Sequence, residues 1–320
     1  MDILAPSTLL DRQDLAERGI GWRKAAELRE RKVLTMVRPG ICVFTDEWAT
    51  LTPEERMRLR ARAVERSSRN VHIFSNLTAL AQHGLPVVFA DVSGVHTTAR
   101  RERGGALAGV VRHRGPLRDD EIVEVDGMLC TSIERTLADV ARTQRRETSV
   151  SAIDAALRSV SVHERKYDEN AAGVLRDKAL VISTRASHGP SRARRALSFG
   201  DGRAELPGES ISRVRLVQLG FDIPRLQVAV RAPNGGNYYV DLGLDDVESL
   251  AEFDGKGKYS DPKFLAGRTP QQALDDEKAR EDWIRGVTGL KLVRWQWEHI
   301  TTPEELGRRL AHFGVRPPRR

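Results

Sequence analysis

Residues 208–259 read GESISRVRLVQLGFDIPRLQVAVRAPNGGNYYVDLGLDDVESLAEFDGKGKY and decide how the chain is interpreted. A helical pattern opens the stretch and carries Glu209 near its start. Asp241 ends one strand-like run, Glu252 lies inside the next, and Lys258 follows a few residues later. Three acids and a lysine are therefore distributed over a helix, two strands and a loop.

This set of residue types is the one that a magnesium-dependent phosphodiesterase needs. Carboxylate oxygens bind the hard cation, the cation stabilises the charge that develops on the phosphate, and a lysine positions or deprotonates a water molecule. We therefore predict a magnesium site, with manganese as a substitute, held by Glu209, Asp241 and Glu252. The alternative is structural: Glu252 lies in an apolar run and needs a partner if it is buried, and Arg280 or Lys278 would supply one as a salt bridge.

The segments around these acids predict three layers, a sheet between helices. The predicted helices are 209–219, 278–286 and 302–310, and the predicted strands are 227–230, 238–244, 250–253 and 290–295. Gly220 ends the first helix, and Thr302-Pro303-Glu304-Glu305 caps the last. An α/β/α order of this kind places the acids at strand ends and at a helix start.

This order, with acids placed on it, resembles the PD-(D/E)XK nuclease superfamily over residues 205–312. The most similar branch is the group related to very-short-patch repair endonucleases (DUF559). The segments that carry the resemblance include Gly208-Glu209-Ser210, Val240-Asp241, Glu252-Phe253-Asp254-Gly255 and Lys258-Tyr259. The fold that it implies is a restriction-endonuclease-like α/β/α domain.

The resemblance also implies roles for individual residues. Asp241, Glu252 and Glu209 match the metal ligands, Lys258 matches the catalytic lysine of this branch, and Gln227 matches a supporting polar residue. The sequence departs from the superfamily at Asp254, where a lysine is usual. The lysine role would then pass to Lys256 or Lys258 in the following loop.

Residues 7–45 predict a small DNA-binding unit. A helix over 9–18, a tight glycine turn and a helix over 22–32 form a helix-turn-helix pattern. Strands over 33–37 and 41–44 then predict a hairpin wing with Arg38 near its tip. The cations that we expect against DNA here are Arg23, Lys24, Arg31 and Arg38. An ordinary protein-interaction module is the alternative.

The order of these elements, ending in Arg38-Pro39-Gly40-Ile41, resembles the winged N-terminal domain of AbiEi-type antitoxins from type IV toxin–antitoxin systems. That resemblance implies DNA binding and a cognate toxin as a partner. It also implies a competing function for the whole chain, a non-catalytic antitoxin-like transcriptional repressor whose nuclease fold is inert.

The remaining segments are less informative about chemistry. Residues 52–69 predict a helix with six arginines, for which a solvated face is the usual explanation. The histidines of the middle region fit no metal-ligand spacing. The predicted domains are 1–70 (winged helix-turn-helix), 71–183 (mixed α+β), 184–204 (basic linker with a short helix) and 205–320 (nuclease-like). The linker carries Arg192, Arg194 and Arg195, which are further candidates for DNA contact.

Composition agrees with a soluble α/β protein of several domains. The 320 residues are 40% hydrophobic and 30% charged, and the formal net charge is +7. A basic excess at the two ends of the chain favours a polyanionic partner such as DNA. No apolar run reaches the length of a membrane span, so we expect a cytoplasmic protein without a membrane partner.

Overall fold

A computed structural model describes residues 9–99, 108–255 and 269–318, and these residues form two compact units. Unit 1 contains the described residues up to Ala152 together with Val174–Ser198. Unit 2 contains Ile153–Gly173 and the described residues from Phe199 onward. Both units mix helices with small sheets, as the sequence predicted. The segment 153–173 belongs to unit 2, although the sequence had suggested the middle domain for it.

Unit 1 is mostly helical, with short two-stranded pairings. Its helices are α1 Arg12–Glu17, α2 Trp22–Glu30, α3 Thr45–Thr50, α4 Pro53–Ser67, α5 Asn76–Gln82, α6 Ile133–Thr143, α7 Arg146–Ser161, α8 Glu169–Thr184 and α9 Pro190–Phe199. Its strands are β1 Leu34–Arg38, β2 Ile41–Phe44, β3 Val95–Ala99, β4 Val110–Arg114, β5 Ile122–Val125 and β6 Met128–Thr131. Helices α7 and α8 contribute residues to both units.

The first part of unit 1 consists of α1, α2 and the antiparallel hairpin β1–β2. Leu10, Leu15, Leu34 and Cys42 form its buried core. The Asp11 side chain accepts hydrogen bonds from the first turn of α1, which satisfies donors that a helix start would otherwise leave unpaired. Ala25 and Leu28 of α2 pack against this core, which places α2 beside the hairpin.

Unit 2 contains the larger sheet. Its helices are α10 Pro207–Leu219, α11 Pro270–Thr288 and α12 Pro303–His312. Its strands are β7 Val162–His163, β8 Lys166–Tyr167, β9 Arg225–Arg231, β10 Asn237–Leu244, β11 Ser249–Phe253 and β12 Lys291–Trp295. Within the described residues the sheet order is β12–β11–β10–β9; only the β11–β12 pairing is parallel.

Helices cover the two faces of this sheet. On one face, Ile284 of α11 packs with Val240, Leu250 and Leu292. On the other, Ser212 of α10 accepts a hydrogen bond of 2.8 Å from the Trp295 indole. Because side chains alternate between faces along a strand, Glu252 points to the α11 side of β11 and Phe253 to the α10 side.

Two contacts place the elements that carry the acids. Gly208 lets α10 approach the sheet closely, because a Cβ at this position would meet the Phe253 ring at 2.1 Å. Asp154 and Arg213 form a buried ion pair of 2.8 Å, which ties the segment 153–173 to α10. Arg213 also donates to the Phe199 carbonyl at 2.9 Å, so its charge is matched by two acceptors.

Candidate active site

Asp241 lies where the regular strand pairing is interrupted. Pairing between β10 and β9 continues from Val240↔Val228 to Leu242↔Leu226, with Asp241 and Gln227 between them. Gln227 has a φ of +51°, an unusual backbone conformation for a residue within a strand. Asp241 accepts a hydrogen bond of 2.9 Å from the Phe253 backbone, so its carboxylate lies against the end of β11.

Asp241, Glu252 and Gln227 line one cavity of about 550 Å³ in unit 2. The volume falls within the range of sites for small ligands. Both acids therefore face one space, whereas Glu209, the third acid of the predicted site, is not among the residues that line it. The other charged residues that line the cavity are Arg158, Arg165, Arg203, Glu205, Glu277 and Arg280.

Glu209 lies in the first turn of α10 and is 2% exposed. Its Oε2 accepts a hydrogen bond of 2.9 Å from the Glu205 backbone. Burial, and next to it the nearby negative charge of Asp241, raises the pKa of Glu209 to about 8. Glu209 and Asp241 are thus close enough for their charges to interact.

Glu252 is only 3% exposed and does have cationic partners. Arg280 on α11 donates to Oε1 at 2.6 Å. Arg294 lies 3.5 Å from Oε2, without forming a hydrogen bond to it. Of the two predicted partners, Arg280 or Lys278, it is Arg280 that pairs with Glu252, and Oε2 of Glu252 has no hydrogen-bond partner among the described residues.

Arg294 is a site residue that the sequence analysis missed. It is the direct neighbour of Glu252 in the parallel β11–β12 ladder. Its guanidinium pairs with Asp254 at 2.8 Å and with Glu277 at 2.8 Å. Asp254 stands where the resembling superfamily has a lysine, and a cation reaches that position from the next strand instead. A charge inside the apolar run Leu292-Val293-Arg294-Trp295 was the signal that could have identified Arg294.

The predicted lysines Lys258 and Lys256 lie outside the described residues, so their role stays a prediction. Among the described residues, no three His, Cys, Asp or Glu side chains are arranged to hold a metal ion as they stand. The donor chemistry nevertheless fits a hard cation, because Glu209, Asp241 and Glu252 offer only oxygen atoms. Within the described ranges, Oε2 of Glu252 is buried without a hydrogen bond, which leaves an oxygen donor for an added cation.

The cations predicted on α2 are exposed. Arg23 lies over the Trp22 ring at 5.4 Å, and Trp22 itself is 70% exposed. Lys24 and Arg31 form surface ion pairs with Glu27 at 3.0 Å and 3.4 Å. Such pairs are weak and open readily in favour of a stronger anion.

Arg38 behaves differently from the prediction of an open wing tip. Its guanidinium donates to Ser67 at 2.6 Å and to the Ala108 carbonyl at 2.9 Å, so it is engaged inside unit 1. The predicted linker cations Arg192, Arg194 and Arg195 are exposed on α9. Ala193 and Leu197 are buried on the other side of that helix, so α9 is packed against the protein with its arginines facing outward.

The chain is similar to known proteins over less than half of its length. No family model matches the chain. It is 35% identical over 130 residues to an uncharacterized protein of Mycobacterium tuberculosis (strain CDC 1551 / Oshkosh) and, to the same extent, to one of strain ATCC 25618 / H37Rv. The match covers 41% of this chain and 44% of each relative. None of the helices in the described ranges is long and apolar enough to cross a membrane.

Proposed function

We propose that unit 2 hydrolyses phosphodiester bonds of DNA with Mg²⁺, or Mn²⁺ in its place, and that α1, α2 and the β1–β2 hairpin dock the protein on DNA as a winged helix-turn-helix. The observation that carries the proposal is that Asp241 and Glu252, from adjacent strands, line one cavity. The exposed cations of α2 support the docking role.

Each residue has a defined task in this proposal. Asp241 and Glu252 hold the cation, which when bound stabilises the negative charge that develops on the phosphate. Glu209 completes the oxygen donors from α10, and Gln227 orients a water molecule or a phosphate oxygen from β9. Arg280 and Arg294 keep the Glu252 carboxylate in place and lower the cost of burying it.

The test is metal-dependent cleavage of plasmid, linear and single-stranded DNA by the full chain. Asp241→Asn and Glu252→Gln should each reduce the rate at least about 100-fold, since each removes a charged metal ligand. Asp245→Asn is the matched control, because Asp245 is exposed, pairs with Arg225 and does not line the cavity. DNA that stays intact with Mg²⁺ and with Mn²⁺ would refute the proposal.

A second function has its own supporting observation. Arg280 already holds Glu252 at 2.6 Å, which is a structural salt bridge and needs no metal. With an inert unit 2, the chain would act as an antitoxin-like repressor that binds DNA through α2, with a cognate toxin as its partner.

Binding to a promoter fragment from the gene's own upstream region tests this alternative. Asp241→Asn should leave the affinity unchanged, and Arg23→Ala with Lys24→Ala should weaken binding and flatten its salt dependence by about one unit of slope per lost phosphate contact. Arg308→Ala, an exposed change on α12 of unit 2, is the control. Wild-type affinity in the Arg23/Lys24 double variant would exclude α2 as the contact.

A further inference from the structure

A short hairpin from the segment 153–173 forms one wall of the cavity that contains Asp241 and Glu252. Strands β7 and β8 pair through Val162↔Tyr167 and His163↔Lys166. The two turn residues, Glu164 and Arg165, have φ values of +49° and +65°, as in the tight turns that match strand twist. This turn places Arg165 at the exposed tip of the hairpin.

Arginine and tyrosine side chains are paired around this wall. The Arg165 guanidinium lies 5.7 Å from the centre of the Tyr239 ring. Arg203 lies 4.3 Å from the Tyr167 ring, and Arg280 lies 5.8 Å from the Tyr238 ring. Planar guanidinium groups and aromatic rings are the surfaces on which unpaired bases stack, and arginines also pair with phosphates.

Tyr167 and Tyr239 differ in whether the side chain packs within the protein or is exposed. The Tyr167 hydroxyl accepts a hydrogen bond of 3.3 Å from the Gly202 backbone, and a Cβ at Gly202 would meet the Tyr167 ring at 2.9 Å. Tyr167 therefore has a packing role. Tyr239 is 38% exposed and lies on β10 two residues before Asp241, which makes its ring available to a ligand in the cavity.

We propose that Tyr239 and Arg165 bind an unpaired nucleotide and thereby select single-stranded DNA, or a locally opened duplex, as the substrate class. This inference builds on the proposed phosphodiesterase function. The base stacks on Tyr239, the adjacent phosphate contacts Arg165, and the strand leads towards Asp241. A cavity of about 550 Å³ has the size of a small-ligand site, and an unpaired nucleotide is in that class, whereas an intact duplex is far wider.

Fluorescence anisotropy of the full chain with a labelled 15-nucleotide single strand, and with its duplex, tests the inference. EDTA is present throughout, so cleavage cannot contribute. Arg165→Ala and Tyr239→Ala should each weaken single-strand binding by about 5-fold or more, and Tyr239→Phe should retain affinity because it keeps the ring. Arg308→Ala, an exposed change on α12, is the control and should bind like wild type.

The outcomes separate this inference from the function on which it builds. Loss of single-strand binding in Arg165→Ala and Tyr239→Ala, with duplex binding unchanged, supports the nucleotide wall even if no variant cleaves DNA. Wild-type single-strand affinity in both variants overturns it even if the wild type cleaves. Equal losses for single strand and duplex also overturn it, because the wall would then have no preference for unpaired bases.

Discussion

Replacing Glu209 by glutamine should make the metal-free protein more stable at alkaline pH. Glutamine keeps an acceptor for the Glu205 backbone N–H but cannot ionise. In the wild type, burial and the charge of Asp241 raise the pKa of Glu209 from 4.5 to about 8. Stability contributed by the protonated acid is fully present below pH 4.5 and is lost as the pH rises through 8.

The pKa difference sets the size of this effect. Because the unfolded chain ionises Glu209 more readily than the fold does, the unfolding free energy falls from its value below pH 4.5 by roughly 3 kcal/mol at pH 7 and roughly 5 kcal/mol above pH 8, on the scale of 1.36 kcal/mol per pKa unit. The stability gain of Glu209→Gln over wild type should therefore be under about 1 kcal/mol at pH 5 and several kcal/mol at pH 8.5.

Urea unfolding in EDTA, followed by tryptophan fluorescence, measures the difference. Trp295 is 1% exposed and bonded to Ser212 of α10, so it reports on unit 2. Two results would refute the interpretation that Glu209 and Asp241 are a strained carboxyl pair. One is an unfolding free energy that varies with pH in the same way for both proteins, and the other is a Glu209→Gln protein that is less stable than wild type at pH 8.5. Added Mg²⁺ should stabilise the wild type most above pH 7, and Glu209→Gln much less, because the cation relieves the repulsion.

Three further substitutions test individual contacts, two of them beside the site in unit 2 and one at the start of α4 in unit 1. Gly208→Ala should lower the unfolding free energy by about 1–3 kcal/mol, because the added Cβ meets the Phe253 ring. The control Gly286→Ala, in open space within α11, should raise the unfolding free energy by up to about 1 kcal/mol. Equal effects of the two substitutions in urea unfolding would contradict the close approach of α10 to the sheet. Arg280→Ala should lower the unfolding free energy in EDTA by roughly 3 kcal/mol. The substitution leaves the buried Glu252, among the described residues, with only the longer contact to Arg294. An unchanged urea midpoint would show that the Arg280–Glu252 ion pair does not contribute to stability. Thr52→Ala should lower the unfolding free energy by about 1 kcal/mol, because it removes the side-chain cap of α4. An unchanged midpoint in the thermal unfolding of unit 1 would exclude that contribution.

Local patterns allowed much of the secondary structure to be predicted. Gly220 was expected to end the helix that begins near Glu209; α10 ends at Leu219, and Gly220 has a φ of +97°. The predicted strand 41–44 matches β2, and the predicted strands 238–244, 250–253 and 290–295 match β10, β11 and β12 to within one residue at each end. Such elements are specified by neighbouring residues, through turn chemistry and strand propensity, so one sequence is sufficient to find them.

Long-range contacts explain what the sequence did not reveal. Helix α8 was not predicted, and Gly173 in its interior weakens the helical signal. Asp154 and Arg213 are far apart in sequence, so no local pattern could assign the segment 153–173 to unit 2. The arginines of α4 were expected on a solvated face. Arg58 and Arg60 instead are half-buried and donate to the Ala81 and Val92 carbonyls, because a long side chain can span from a buried stem to a distant acceptor.

In the candidate site, too, local sequence patterns identified some residues and long-range contacts determine others. The acids were found from their positions at strand ends and at a helix start, which a sequence displays directly. The cation beside Asp254 was sought in the following loop, and the described residues place Arg294 there from β12. The β11–β12 pairing that brings Arg294 to Glu252 is parallel and joins distant segments, so the spacing of residues along the chain does not encode it.

A crystal structure of the full chain grown with Mn²⁺ would show directly whether the acids of unit 2 bind a metal ion. We expect one anomalous peak bound by oxygens of Asp241 and Glu252, with Glu209 completing the ligands, and no peak in Asp241→Asn crystals. Crystals that contain no ion at this position, with Glu252 still paired to Arg280 as in the metal-free arrangement, would contradict the claim that unit 2 is a metal-dependent phosphodiesterase.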